Sequence, residues 1–176
     1  ASVVVIGAAL VLALFALPSY LGTLKQSGLI RGLLMILLLS TLVLAYEILA
    51  VKTKLPYGDF TYSTAFGYKI FGAVPWLPVL AYPPVVLGAY WLARKVSFGV
   101  FAVLLTAAFT TAVYLVTAPA MAKLTLWQWP NPGPFYGVPL RSFAGWFGLA
   151  LVSSFIVVAL WGDNTVKRIT AYSLFA

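Results

Sequence analysis

The sequence holds no cysteine and no histidine, and only three of its 176 residues are acidic. Without cysteine there is no disulfide and no thiolate metal site. Without histidine there is no histidine-ligated haem, no imidazole-bound metal and no histidine base. Catalysis, if any, falls to Glu47, Asp59, Asp163, the hydroxyl residues or the basic side chains; neither a metal nor another cofactor is expected. Charge of either sign is scarce: 8% of residues are charged, against about a quarter in a soluble domain. Apolar residues make up 63% and mean hydropathy is +1.04. These values exclude an ordinary soluble domain, and so much apolar surface excludes disorder. The net charge of +8 comes from eleven Lys and Arg, standing singly or in pairs between apolar runs. That spacing reads as topology signals and lipid-headgroup partners, not as a nucleic-acid surface.

A helix needs ~20 apolar residues to cross ~30 Å of hydrocarbon. Five stretches reach that length: residues 3–24, 29–51, 74–93, 97–121 and 140–161. The expected fold is therefore all-α, a polytopic integral membrane bundle of about five transmembrane helices forming one domain over 1–176. Pro75, Pro78, Pro83 and Pro84 make the third span irregular by expectation. The first stretch is long and lacks a basic leader, which argues for a span over a cleavable signal peptide. The opening Ala1 fits a chain processed or trimmed at that end. With five spans, Lys25, Arg31, Arg94, Lys95, Lys167 and Arg168 share one side, and Lys52, Lys54, Lys69, Lys123 and Arg141 the other. The first group sits in shorter loops, which places that side in the cytoplasm and the N-terminus outside. Residues 52–73 and 123–139 then share the opposite face. Both alternate Gly and Pro with aromatics. Either they form tight turns within an interfacial aromatic belt, or they fold together as an aromatic-lined mouth above the helices.

Polar residues inside the spans are few. Glu47 lies in the last turn of the second span, seven residues after Ser40 and on its face. It either reaches for headgroups or for Lys52 or Lys54, or it serves a buried cavity as proton donor or ion partner. Asp59, beside Pro56 and Gly58, suits a turn or helix cap, and Asp163 a surface turn. Thr106, Thr110, Tyr114 and Thr117 share one face of the fourth span. Their hydroxyls either bond back to their own helix or line a cavity. Ala144 and Gly148 form a small pair suited to close helix packing.

Two ordered blocks carry a resemblance. The first is Glu47, then Leu55-Pro56-Tyr57-Gly58-Asp59-Phe60-Thr61-Tyr62-Ser63, then Gly72-Ala73-Val74-Pro75-Trp76 with Pro78 and Tyr82. The second is Trp127-Gln128-Trp129, then Phe135-Tyr136-Gly137-Val138-Pro139-Leu140 and Gly145-Trp146. Over about 47–146 the chain resembles the membrane-embedded carotenoid biosynthesis proteins, a family that includes carotenoid hydratases of bacteria and archaea. It departs from the family pattern at Phe60 and Phe135, where Tyr is expected, and at Ser142, where Asn is. An acid expected near 117–121 is absent. Family members also tend to carry further spans after the Gly-Trp element.

The resemblance implies water addition across the terminal isoprenoid double bond of a carotenoid, by acid catalysis and without redox chemistry. Glu47 would be the acid, kept protonated by an apolar surrounding, with Asp59 or Tyr62 orienting water. Trp76, Tyr136 and Trp146 would stabilise the cation through their ring faces, and Tyr82, Tyr114 and Trp129 complete the expected substrate wall. Expected partners are membrane lipids and a carotenoid or other isoprenoid, in a prokaryotic cell membrane. The alternative is a non-catalytic small subunit of a larger respiratory or light-harvesting complex, binding carotenoid, quinone or lipid beside other membrane subunits. A transporter is a third reading, weakened by the lack of an internal repeat or a paired charged path.

Overall fold

A computed structural model describes residues 2–161; Asp163, Lys167 and Arg168 lie outside the described residues. Five α-helices account for most of the chain: α1 (Ser2–Ser27), α2 (Leu29–Thr53), α3 (Trp76–Val96), α4 (Gly99–Lys123) and α5 (Leu140–Trp161). Among the described residues, four of them, α2 to α5, are long and apolar enough to cross a membrane. The protein is an all-α integral membrane bundle, and α1 is the helix by which this number differs from the expected five.

Local chemistry sets the helix ends. Gly28 alone separates α1 from α2, at a φ of 80° that favours glycine. Lys54 ends α2 in the left-handed region, its N–H returning to the Ala50 carbonyl. The third span is a single helix, not the irregular element its prolines suggested. Pro75 precedes its first residue and Pro78 falls in its first turn, where backbone N–H groups have no intrahelical acceptor. Pro83 and Pro84 do remove donors from the interior. The carbonyl that Pro84 leaves without its helical donor is that of Leu80, and the Tyr20 hydroxyl of α1 donates to it. A neighbouring helix thus satisfies the group that proline frees.

Burial along α2 follows one stripe: Met35, Leu39, Val43, Glu47 and Ala50 point inward. Leu33, Leu34, Leu37 and Leu38 are exposed on the other side, as suits a lipid-facing surface. Glu47 therefore continues the Leu39–Val43 row, while Ser40 is only half-buried beside it. α4 packs chiefly on α5 and α3, and α1 on α2 and α3.

The two aromatic connections do fold together. β1 (Thr61–Tyr62) pairs antiparallel with β4 (Trp127–Gln128), Tyr62 opposite Trp127. The Ser63 N–H also donates to the Leu126 carbonyl. A second short ladder joins β2 (Lys69–Ile70) to β3 (Val74–Pro75) and leads the chain into α3. Both connections thus meet at one end of the bundle, over the end of α2 that carries Glu47.

Candidate active site

Glu47 is the centre of the site. It is 1% exposed, and no lysine or arginine pairs with it among the described residues. The Tyr62 hydroxyl donates to Oε2 at 2.6 Å and the Tyr57 hydroxyl to Oε1 at 3.0 Å. Neither headgroups nor Lys52 nor Lys54 hold this carboxyl. Lys54 instead pairs with Asp59 at 2.7 Å, in a surface contact where Asp59 is 43% exposed. Burial pushes the Tyr57 and Tyr62 phenols well above the usual tyrosine range, and the neighbouring Glu47 charge adds to the effect. Both are neutral donors across the physiological range.

The turn that carries Tyr57 is built for close approach. Gly58 has a φ of +93°, and a Cβ there would lie 2.3 Å from the Arg141 guanidinium. On α5, a Cβ at Gly145 would meet Pro56 at 2.3 Å and the Tyr57 ring at 2.9 Å. Of the pair expected to pack closely against another helix, Ala144 is exposed and Gly148 has only the Tyr46 hydroxyl within reach at 3.9 Å; the close approach is at Gly145, to the turn after α2. Tyr46 also donates to the Gly145 carbonyl at 2.8 Å, tying α5 to the turn of α2 that bears Glu47.

Aromatic rings enclose the acid. A small cavity is lined by Glu47, Tyr57, Phe60, Tyr62, Tyr114, Trp127, Trp129 and Trp146. Tyr114 stacks on Trp146 with centroids 4.4 Å apart. Beside this chamber lies an apolar cavity of ≈ 160 Å³, with Leu77, Ala81, Tyr82 and Val85 on the α3 side and Thr110, Val113 and Thr117 on the α4 side. Tyr114, Trp127 and Trp146 line both spaces, so three rings form the partition between them.

Of the expected site residues, Glu47, Tyr62, Tyr114, Trp129 and Trp146 come together at the small cavity, and Tyr82 lines the larger one. Tyr82 is fixed there by a 2.8 Å hydrogen bond to Ser153. Asp59 lies outside both cavities, held by Lys54. Trp76 is half-buried at the start of α3 and lines neither. Tyr136 is 78% exposed, its ring edge-on to Phe135. On α4, Thr106 and Thr117 bond back to the carbonyls of Ala102 and Val113, while Thr110 faces the larger cavity. The motif reading passed over Tyr57 and Trp127 as site residues. Tyr57 stands inside the Pro-Tyr-Gly-Asp run, and its sequence gives no sign of its return to Glu47.

The model of a family described as "Carotenoid biosynthesis protein" matches residues 1–175. The chain belongs to this family. The match extends the resemblance drawn over 47–146 to almost the entire sequence. A relative, the bisanhydrobacterioruberin hydratase of Haloarcula japonica, is 36% identical over 121 residues, or 65% of this chain. The chain spans 39% of that relative's length. No solved structure matches significantly.

Proposed function

We propose that this carotenoid biosynthesis protein is a carotenoid hydratase of a prokaryotic cell membrane, adding water to a terminal isoprenoid double bond. The observation that carries the reading is the Glu47 carboxyl, buried without a cationic partner, gripped by two phenols and walled off from an apolar cavity by rings alone. The relative named as a hydratase supports it. A purely binding subunit gives no reason for such a carboxyl.

The chemistry follows from the surroundings. A polyene lies in the apolar cavity between α3 and α4, excluding water by contact with Leu77, Ala81, Val85 and Val113. Its end passes the Tyr114, Trp127 and Trp146 partition to reach Glu47. Protonated Glu47 gives its proton to the less substituted alkene carbon, leaving a tertiary cation next to it. Ring faces of Phe60, Trp127, Trp129 and Trp146 stabilise that cation electrostatically. The Tyr57 and Tyr62 hydroxyls stabilise the carboxylate left behind, through charge-assisted hydrogen bonds already in place. Asp59, paired at the surface, takes no part.

Expression of the chain in a host that makes acyclic carotenoids is expected to yield the hydrated product. Glu47→Gln, which keeps the shape of the side chain, is expected to abolish that product while the protein still accumulates in the membrane. Equal product from the Glu47→Gln variant would overturn the reading.

A further inference from the structure

Two polar atoms in the aromatic chamber have no part in the contacts above. The indole N–H groups of Trp127 and Trp129 are buried, and neither has a hydrogen-bond partner among the described residues. The third indole of the chamber, Trp146, stacks on Tyr114. A buried donor without an acceptor carries its whole desolvation penalty, and folded proteins rarely tolerate one, let alone two side by side. Trp127 and Trp129 are such neighbours, with ring centroids 6.4 Å apart.

Both line the small cavity that Glu47 lines. The volume of that cavity is ≈ 10 Å³, at the lower limit of the ~10–15 Å³ that admits one water. A water so enclosed needs two to four polar partners. Of the hydroxyls there, those of Tyr57 and Tyr62 are committed to Glu47. The chamber thus offers a guest oxygen two indole donors and the Glu47 carboxyl, beside Tyr114.

We propose that this cavity is the seat of the water consumed in the reaction, held by the indole N–H groups of Trp127 and Trp129 and by Glu47. The proposal rests on the hydratase reading. When Glu47 protonates the alkene, a C–H bond forms, the π bond breaks and the adjacent tertiary carbon becomes cationic. The water oxygen releases one indole, forms the C–O bond with the freed lone pair, and keeps its bond to the other indole. One of its protons passes to the Glu47 carboxylate. The balance is one water added, with the carboxylic acid restored and no electron transferred to or from a second reactant. Trp127 also lines the polyene cavity, so its N–H is the one released toward substrate. Trp129 lines only the small cavity and is the fixed anchor. Both act as positioning residues, since they aim the water and leave the proton transfer to Glu47.

The test uses the full chain in carotenoid-containing membranes suspended in D₂O, with Trp127→Phe, Trp129→Phe and the double variant. Phenylalanine keeps a ring face for the cation and deletes the N–H. Without an aimed water, the cation still forms but returns a proton to Glu47, so deuterium enters the recovered alkene. The expected result is a fall in hydration of about tenfold in each variant, with the ratio of deuterium exchange to hydration rising by a similar factor. Unchanged hydration, or exchange and hydration falling together, would overturn the water site. Glu47→Gln separates the two levels of the argument, because it should remove exchange and hydration alike. Hydration that survives Glu47→Gln defeats the acid assignment, whereas a constant exchange ratio in the tryptophan variants defeats only the water site. The single variants are read by the same ratio if the double variant fails to accumulate.

Discussion

The hydroxyl of Tyr62 lies 2.6 Å from Oε2 of Glu47, closer than the 3.0 Å that separates the Tyr57 hydroxyl from Oε1. The two phenols reach the carboxyl by different means. Tyr62 sits in the β1–β4 ladder and is locked by backbone pairing to Trp127, while Tyr57 rides on the turn after α2 and is pressed into place by Gly145. The shorter contact belongs to the more constrained side chain.

This asymmetry sets the order of two substitutions. Hydrogen bonds to a charged group contribute about 1.5–3 kcal/mol. Tyr62→Phe is therefore expected to lower turnover about tenfold to a hundredfold, and Tyr57→Phe by a smaller factor. Product formation per unit of membrane-inserted protein checks it; a larger loss from Tyr57→Phe would reverse the assignment.

Gly145→Ala places a methyl group against Pro56 and the Tyr57 ring. Overpacking of this kind costs about 1–3 kcal/mol, so both thermal stability in detergent and activity should fall. Gly148→Ala, three residues on and with only the Tyr46 hydroxyl near its Cβ position, at 3.9 Å, should change stability by less than about 0.5 kcal/mol. Equal effects from the two substitutions would show that the α5 contact lies elsewhere.

Alkaline titration separates the buried phenols from ordinary ones. The folded-state values of Tyr57 and Tyr62 stand above the unfolded value of about 10. The stability that these neutral phenols contribute is thus complete below about pH 10 and is lost as the pH rises beyond it. At about pH 11, Phe at both positions should leave the phenolate absorbance of the folded protein unaltered. In denatured protein the same double substitution should remove the signal of both residues. A reduced signal in the folded state would mean that the chamber is open to hydroxide.

Ala81→Phe fills part of the cavity between α3 and α4 without touching Glu47 or its phenols. The expected outcome is a rise in KM for the carotenoid of about tenfold or more, with kcat less affected. A drop in kcat at constant KM would place the polyene elsewhere.

Tyr20→Phe leaves the Leu80 carbonyl with neither a helical donor nor a phenol. Hydrogen bonds between membrane helices average about 0.6 kcal/mol, so a small loss of thermal stability is expected, with activity retained. A large loss would show that α1 anchors α3 more strongly than this single bond implies.

Composition and run length made the helices legible, because a bilayer demands long apolar stretches whatever their neighbours. The inward face of α2 was not legible in the same way. Leucine covers lipid-facing and core-facing sides alike, so no amphipathic contrast marks Glu47 as belonging with Leu39 and Val43. Motif order singled out Tyr62, Trp129 and Trp146, which the fold gathers at the small cavity. It also carried in Asp59, Trp76 and Tyr136, whose side chains the fold turns to a surface ion pair, to the start of α3 and to the surface. Gly145 was hidden because an Ala144–Gly148 pair fits a helix-packing pattern, whereas its real neighbour is a loop distant in sequence. Contacts between remote turns are what local spacing does not encode.

The ladder joining Tyr62 to Trp127 gives the site a birth order. Glu47 enters the bilayer with α2, but the strand that covers it is made only after α3 and α4 have been threaded. During synthesis the acid therefore stands uncovered among nascent helices, and its enclosure is a property of the assembled bundle. A ribosome stalled before β4 would leave a bundle segment that holds Glu47 yet lacks Trp127 and Trp129, two of the rings that enclose it.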